Sequence, residues 1–284
     1  MGDLVALPRV SALSLWTAAY LAGQIGPDDA LDQARGHGHR HEHVTGEDLF
    51  EWMVHRRQGP AKLLRVVLPV PGRLAGMQGP PEAVRDALKN AGALIVHDGQ
   101  QSDHVLIACT EIVGSADDQL LQVTWKKYQV AEPQPVVRSG PALSASAPVP
   151  VVGDAQSHRV ITNAPIADSM HVAQSREIFL RSLRHAAASM RAADLVPDEP
   201  VHPGLLPDTW VACELPSGST DGHEHLLRIV SRTLLLTAEA ATSLPSPGMS
   251  AQDCEHHRRV LRDLAGDARD ALAALTSYDG HVVE

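Results

Sequence analysis

"LLRVVLPVPGRLAGMQGPPEAVRDALKNAGALIV", residues 63–96, places two short apolar runs on either side of a segment with helical spacing. The first run, "LLRVVLPV", is β-branched and ends in a Gly/Pro loop, the signature of a strand. "EAVRDALKNAG" follows, opened by Pro80 and Pro81 and stopped by Gly92, and "ALIV" then begins a second strand. Working outward, "HDGQQSD" reads as a turn into "HVLIACTEI", and "GSADD" as a turn into "QLLQVTWKKYQV". The order is β-α-β-β-β, with the last three strands an antiparallel meander. Leu121, Val123 and Trp125 share one parity in the final strand, whereas Tyr128 and Val130 take the other. A bulge at Lys126–Lys127 would reconcile the two.

The flanks read as helical. In "VSALSLWTAAYLAG" the spacing of Leu13, Trp16 and Tyr20 is that of one helix face, which suits a core helix better than a signal peptide. "GPDDALDQARG" has a Pro-Asp-Asp start and closes at Gly36. The next helix takes Thr45 as its candidate N-cap, Glu47 and Asp48 in its first turn, His55, Arg56 and Arg57 in its last, and stops at Gly59 and Pro60. Residues 131–167 are rich in Pro, Ala and Ser with no sustained period, and read as a connection. From 168 to 284 three helices follow. Phe179, Leu183, Ala186, Met190 and Ala193 make a stripe on the first, "HEHLLRIVSRTLLLTAEAA" is apolar over most of its circumference, and Cys254, Leu261, Leu264, Ala268 and Leu272 share a face of the last. The expected fold is α+β: helices and a small, mainly antiparallel sheet over residues 1–130, then a helical bundle over 168–284.

Composition narrows the function class. Hydrophobic residues make up 44% of the 284-residue chain and charged residues 20%, which suits a globular core, while aromatics are only 3% and favour helices packed through small side chains. A net charge of −10 repels polyanions and argues against nucleic acid as a partner. No run approaches the roughly 20 apolar residues of a membrane span. Cys109, Cys213 and Cys254 lie far apart without a CxxC, as free thiols in a reducing cytoplasm would.

The loudest local feature is "GHGHRHEHV", residues 36–44, with His37, His39, His41 and His43 at alternate positions. Imidazole is a ligand for Zn, Ni or Cu, and residues 1–54 hold eight carboxylates against three arginines, a field that attracts cations. The paired-ligand architecture of structural zinc sites is absent, and all four rings share a side only if the segment is extended. The stretch therefore reads foremost as a polar, mobile connector, with His37, His39, His41 and His43 as the candidate metal ligands and Zn or Ni as the metal. A second "HEH", His223 to His225, follows Asp221 and Gly222, which read as a cap and turn. In "DCEHH", residues 253–257, helical spacing would bring Asp253, Cys254 and His257 to one face, although Cys254 also falls on the apolar stripe. "GRLAGMQGPPEAV" lies between strand and helix where phosphate loops occur, but it lacks the GK[ST] ending and its two prolines delete N–H donors. Arg181, Arg184 and Arg191 with Glu177 read as the charged outer face of their helix. No nucleophile elbow appears, and no residue is assigned to catalysis.

At "LLRVVLPVPGRLAGMQGPPEAVRDAL" and at "LPDTWVACELPSGSTDGHEHLLRIVSRTLLL" the chain resembles an uncharacterised family of actinobacterial proteins with a Leu/Val strand, a Pro-Gly loop and an Ala-rich helical C-terminal half. The resemblance implies a bacterial cytoplasmic protein and carries no function. The expected function is a cytoplasmic protein-interaction or regulatory module, acting on a protein partner or a second copy of itself, without nucleic acid or membrane. Two alternatives stand beside it: a metal-binding protein using the His stretch, and an enzyme with a pocket between sheet and bundle that draws on Cys254 and His257.

Overall fold

A computed structural model describes residues 4–36, 42–46, 48–58, 63–97, 103–115, 118–130, 169–192, 206–217, 219–242 and 250–280. In chain order the elements are β1 (Val5–Pro8), α1 (Arg9–Leu21), α2 (Pro27–Arg35), β2 (Glu42–Gly46), α3 (Leu49–Gln58), β3 (Leu63–Val67), α4 (Pro81–Lys89), β4 (Ala93–His97), β5 (His104–Ser115) and β6 (Asp118–Gln129). Then come α5 (Ser169–Ala192), β7 (Trp210–Cys213), α6 (Asp221–Thr242), α7 (Ala251–Thr276) and β8 (Tyr278–Asp279). The main sheet has the order β2-β6-β5-β4-β3-β8, and β1 pairs with β7 in a separate ribbon. Every pairing is antiparallel except that of β2 with β6. This is the expected α+β class, with the β-α-β-β-β run realised as β3-α4-β4-β5-β6.

The bulge expected at Lys126–Lys127 is absent. β5 and β6 pair in one unbroken register from His104↔Gln129 to Ser115↔Asp118. The change of parity has another cause, because both faces of the sheet are covered. Leu121, Val123 and Trp125 join the large core on one face, with α1, α3 and α7. Tyr128 and Val130 face a smaller cluster on the other, where Val105, Ile107 and Ile95 meet Ala83 and Ala87 of α4. A strand sandwiched between two apolar layers need not keep its large residues on one parity.

Two other expectations change near the His stretch. Thr45 is not a helix cap: it lies in β2, opposite Thr124. The cap of α3 is Asp48, whose Oδ1 accepts from the N–H of Phe50 at 3.0 Å and of Glu51 at 3.2 Å. The connector is strand from Glu42 onward, and only glycine lets it close on β6. Gly46 has φ +97°, and a Cβ there would fall 2.1 Å from the carbonyl oxygen of Trp125. The Pro/Ala/Ser-rich stretch 131–167 lies outside the described residues.

Met1–Ala131 and Ala167–Glu284 form one compact unit. At its centre α1 is buried on nearly all sides, down to its serines and Thr17. Two of its serines meet the far end of the chain: Ser14 Oγ donates to the carbonyl of Thr276 at 2.6 Å, and Thr276 Oγ1 lies 3.4 Å from Ser11 Oγ. Buried hydroxyls so paired cost little, whereas unpaired they would each cost about 1–3 kcal/mol. Beyond α7 the chain turns at Ser277, whose Oγ accepts from Val66 N at 2.9 Å, and β8 then extends the sheet beside β3.

Candidate functional site

α5 and α6 both pack against α7, and a groove of about 580 Å³ lies between them. It is lined by α5 from Val172 to Arg184, the first turns of α6 and Leu275 in the last turn of α7. α5 and α6 therefore start at the end where α7 finishes. At the opposite end Ser189 Oγ of α5 lies 2.8 Å from His256 Nε2 of α7, which clips those two helices together.

Each wall follows from the local sequence. Phe179 and Ala186 point into the core and are closed off, so the neighbouring stripe of Val172, Arg176, Leu180 and Arg184, one helical turn apart each, faces the groove. On α6, Leu227 and Val230 are fully buried, and His223 and Leu226 turn to the same groove. The floor is apolar and the rim is basic. Arg176 and Arg184 have no ion-pair partner among the described residues. Glu177, also on the rim, is held by Arg181 at 2.7 Å. Burial lowers the pKa of His223, which keeps its imidazole neutral at physiological pH. Volume, apolar floor and a few convergent polar groups are the features of a recognition site.

A second concentration of titratable groups lies on the outer face of the sheet. Asp86 of α4 accepts from Tyr128 Oη at 2.6 Å and from Lys126 Nζ at 2.9 Å, with Cys109 Sγ at 3.6 Å. Burial acts to raise the Asp86 pKa, but the hydrogen bonds from Tyr128 and Lys126 outweigh it and hold the carboxyl below its usual value. The same carboxylate, added to burial, pushes Cys109 up to about 11 and Tyr128 up to about 12. Thiol and phenol thus stay protonated at neutral pH, the opposite of nucleophile activation. The cluster ties α4 to the sheet. Asn90 does the same one turn on, its Oδ1 accepting from Thr110 N at 2.9 Å and its Nδ2 donating to Asp86 O at 2.8 Å.

A groove of about 550 Å³ also runs beside α3, lined by Gly46, Asp48, Glu51, Trp52, His55, Arg56 and Lys127. Behind it Trp52 Nε1 donates to His104 Nε2 at 3.0 Å, which fixes a buried, neutral-acceptor imidazole.

Of the candidate metal ligands, His37, His39 and His41 lie outside the described residues, and His43 belongs to β2, opposite Gln122. Among the described residues no group of three or more His, Cys, Asp or Glu side chains is placed to hold a metal ion. That covers "DCEHH" as well. Asp253 is engaged in capping α7, its Oδ2 accepting from Ser250 Oγ at 2.6 Å while its N–H donates to the same hydroxyl at 3.1 Å. His257 is half-buried, and burial with the neighbouring His256 lowers its pKa. The Gly-rich loop at 72–79 is no phosphate cradle: Arg65 fills it, donating to the carbonyls of Ala75 and Gly76 at 3.2 and 3.4 Å. Arg73 from the same loop pairs with Asp270 of α7.

Arg184 and Glu177, expected on a solvated face, line the groove instead, and Arg176 and Leu180 join them. The signal in the sequence is Arg-x-x-x-Leu-x-x-x-Arg, an apolar residue at one-turn distance from two cations on a helix already supplied with a core stripe.

Comparison with known proteins adds one finding. Residues 10–142 match the family described as Rv1486c-like protein, N-terminal domain. This agrees with the expected resemblance to an uncharacterised actinobacterial family, and it brings no function with it. The matched segment spans α1 to β6 and stops before the helices that form the groove. No curated protein and no solved structure matches the chain. No helix among the described residues is long and apolar enough to cross a membrane.

Proposed function

We propose that the chain is a cytoplasmic protein-interaction or regulatory module whose docking surface is the groove between α5 and α6. One observation carries the reading: the half-buried Val172 and Leu180, above the buried Leu226 and Leu275, line a groove beside two arginines that have no ion-pair partner among the described residues. Covering the part of Val172 and Leu180 that still meets water would be favourable at about 25 cal/mol per Å² of apolar surface removed. The net charge of −10 favours a protein partner over nucleic acid or an anionic membrane surface. Tyr128, Cys109 and Asp86, a titratable cluster among the described residues, are held in the protonation states that keep α4 on the sheet, which supports a binding role over a catalytic one.

A photo-crosslinking residue placed at Ala173, on the groove wall, tests this in cells of the native host. The expected result is a discrete adduct with one protein species that is lost when the residue is moved to the exposed position Gln252 of α7. Equal, diffuse labelling from both positions would refute the assignment of the groove.

A further inference from the structure

Resting on that reading, we infer that the groove accepts an acidic amphipathic helix from a protein partner, seated along α5 with carboxylates against Arg176 and Arg184. The register of the wall specifies the occupant. Arg176, Leu180 and Arg184 follow one another at four-residue steps, so the two guanidinium-bearing positions are about 12 Å apart along α5 with an apolar contact midway. The complementary helix carries acid, apolar and acid at the same step, with a further apolar side chain to meet the half-buried Val172. A small amphiphile with one anionic group could engage only one of the two arginines.

Charge points the same way. The chain as a whole repels an acidic ligand, and its arginines 176 and 184 are cations whose charge no side chain among the described residues neutralises. An acidic helix is therefore disfavoured over most of the surface and favoured at the groove, which selects both site and orientation. Glu177 does not cancel this, since Arg181 holds it. α5 and α6 both pack on α7 and run antiparallel to it, and a fourth helix laid over the groove between them would make a four-helix arrangement.

The test uses the full chain and two fluorescein-labelled peptides of about 18 residues, long enough to span the α5 wall. Both are Ala-rich and capped; one repeats Glu-x-x-x-Leu-x-x-x-Glu and the other has Lys at each Glu position. Fluorescence anisotropy at low salt is expected to show the Glu peptide binding at least about tenfold more tightly than the Lys peptide, the scale of two rim ion pairs and their like-charge counterparts. The double variant Arg176→Glu, Arg184→Glu should invert that preference, whereas Arg191→Glu, in the last turn of the same helix and outside the groove, should leave it unchanged. The inversion is a gain of Lys-peptide binding, so a misfolded variant cannot mimic it. Equal binding of both peptides, or an equal effect of Arg191→Glu and the double variant, overturns the inference. So does saturation of the groove by dodecanoate while the Glu peptide fails to bind. A protein adduct at Ala173 without charge-dependent peptide binding would leave the docking surface standing and remove only the acidic helix.

Discussion

Replacing Asp86 with alanine should loosen α4 from the sheet by an amount that can be worked from its three contacts. The Tyr128 hydroxyl donates to a charged acceptor at 2.6 Å, a bond worth about 1.5–3 kcal/mol. The Lys126 pair, with the lysine side chain 45% exposed, adds about 0.5 kcal/mol after solvent screening. The Cys109 contact at 3.6 Å is too long to add much. Against these, alanine is the better helix former by about 0.6 kcal/mol. The net loss is about 1.5–3 kcal/mol, or a Tm lower by about 3–10 °C for a chain of this size. Asp86→Asn keeps an acceptor for Tyr128 and should lose roughly half as much. The pH dependence carries the sign of the cause. Because the folded carboxyl titrates below its unfolded value near 3.9, its stabilisation is present above about pH 4 and is lost as pH falls through the folded pKa. The assay is thermal unfolding of wild type, Asp86→Ala and Asp86→Asn at neutral pH and near pH 3. A gap between wild type and Asp86→Ala that is as wide in acid as at neutral pH would show that the carboxylate's charge contributes nothing, and would refute the reasoning.

Gly92→Ala should be among the more damaging single changes, by about 2–4 kcal/mol, since φ is +151° and the new Cβ would meet Leu68 Cδ2 at 2.7 Å, Val10 Cγ2 at 2.9 Å and the Val67 carbonyl at 3.1 Å; a Tm within about 1 °C of wild type counts against the packing. Asp48→Ala removes the cap of α3 and should cost about 1 kcal/mol, read by chemical unfolding, and an unchanged midpoint would return the capping role to another residue. Cys109 should alkylate slowly at pH 8, because a thiol moved from 9.0 to about 11 has a thiolate fraction about a hundredfold lower; peptide mass spectrometry after timed iodoacetamide treatment would expose the error if Cys109 reacted as fast as an unhindered thiol.

The meander and the long helices were legible in the sequence because each has enough residues for its period to stand out. β1, β7 and β8 were not, being four, four and two residues long, too short for alternation to register. β2 was hidden differently, since its residues are a polar, His-bearing run that forms a strand through pairing with β6. The cap of α3 was misplaced by three residues because Thr45 and Asp48 are both good caps, and only the path of β2 chooses between them. Parity in β6 was misread because a single helix, α4, makes the second face apolar. The groove escaped the sequence for a tertiary reason: a charged stripe on α5 looks the same whether solvent or another helix lies opposite. Cys254 and His257 show the reverse, a spacing that suggests chemistry on a helix whose Asp253 is already occupied as a cap partner.

The closure of α7 and β8 onto α1 and β3 also determines when this protein can finish folding. Ser14 waits for Thr276, and Leu64 for Tyr278, across almost the whole length of the chain. At about 5–20 residues per second, synthesis leaves the apolar flank of α1 without its partner for roughly ten to fifty seconds. Contacts so distant in sequence make for slow folding, and during that interval the nascent N-terminal half presents a sticky helix and an unfinished sheet margin. The matched family segment, 10–142, ends before α7 is made, so a ribosome paused there would hold a chain that still lacks the lid of its own core.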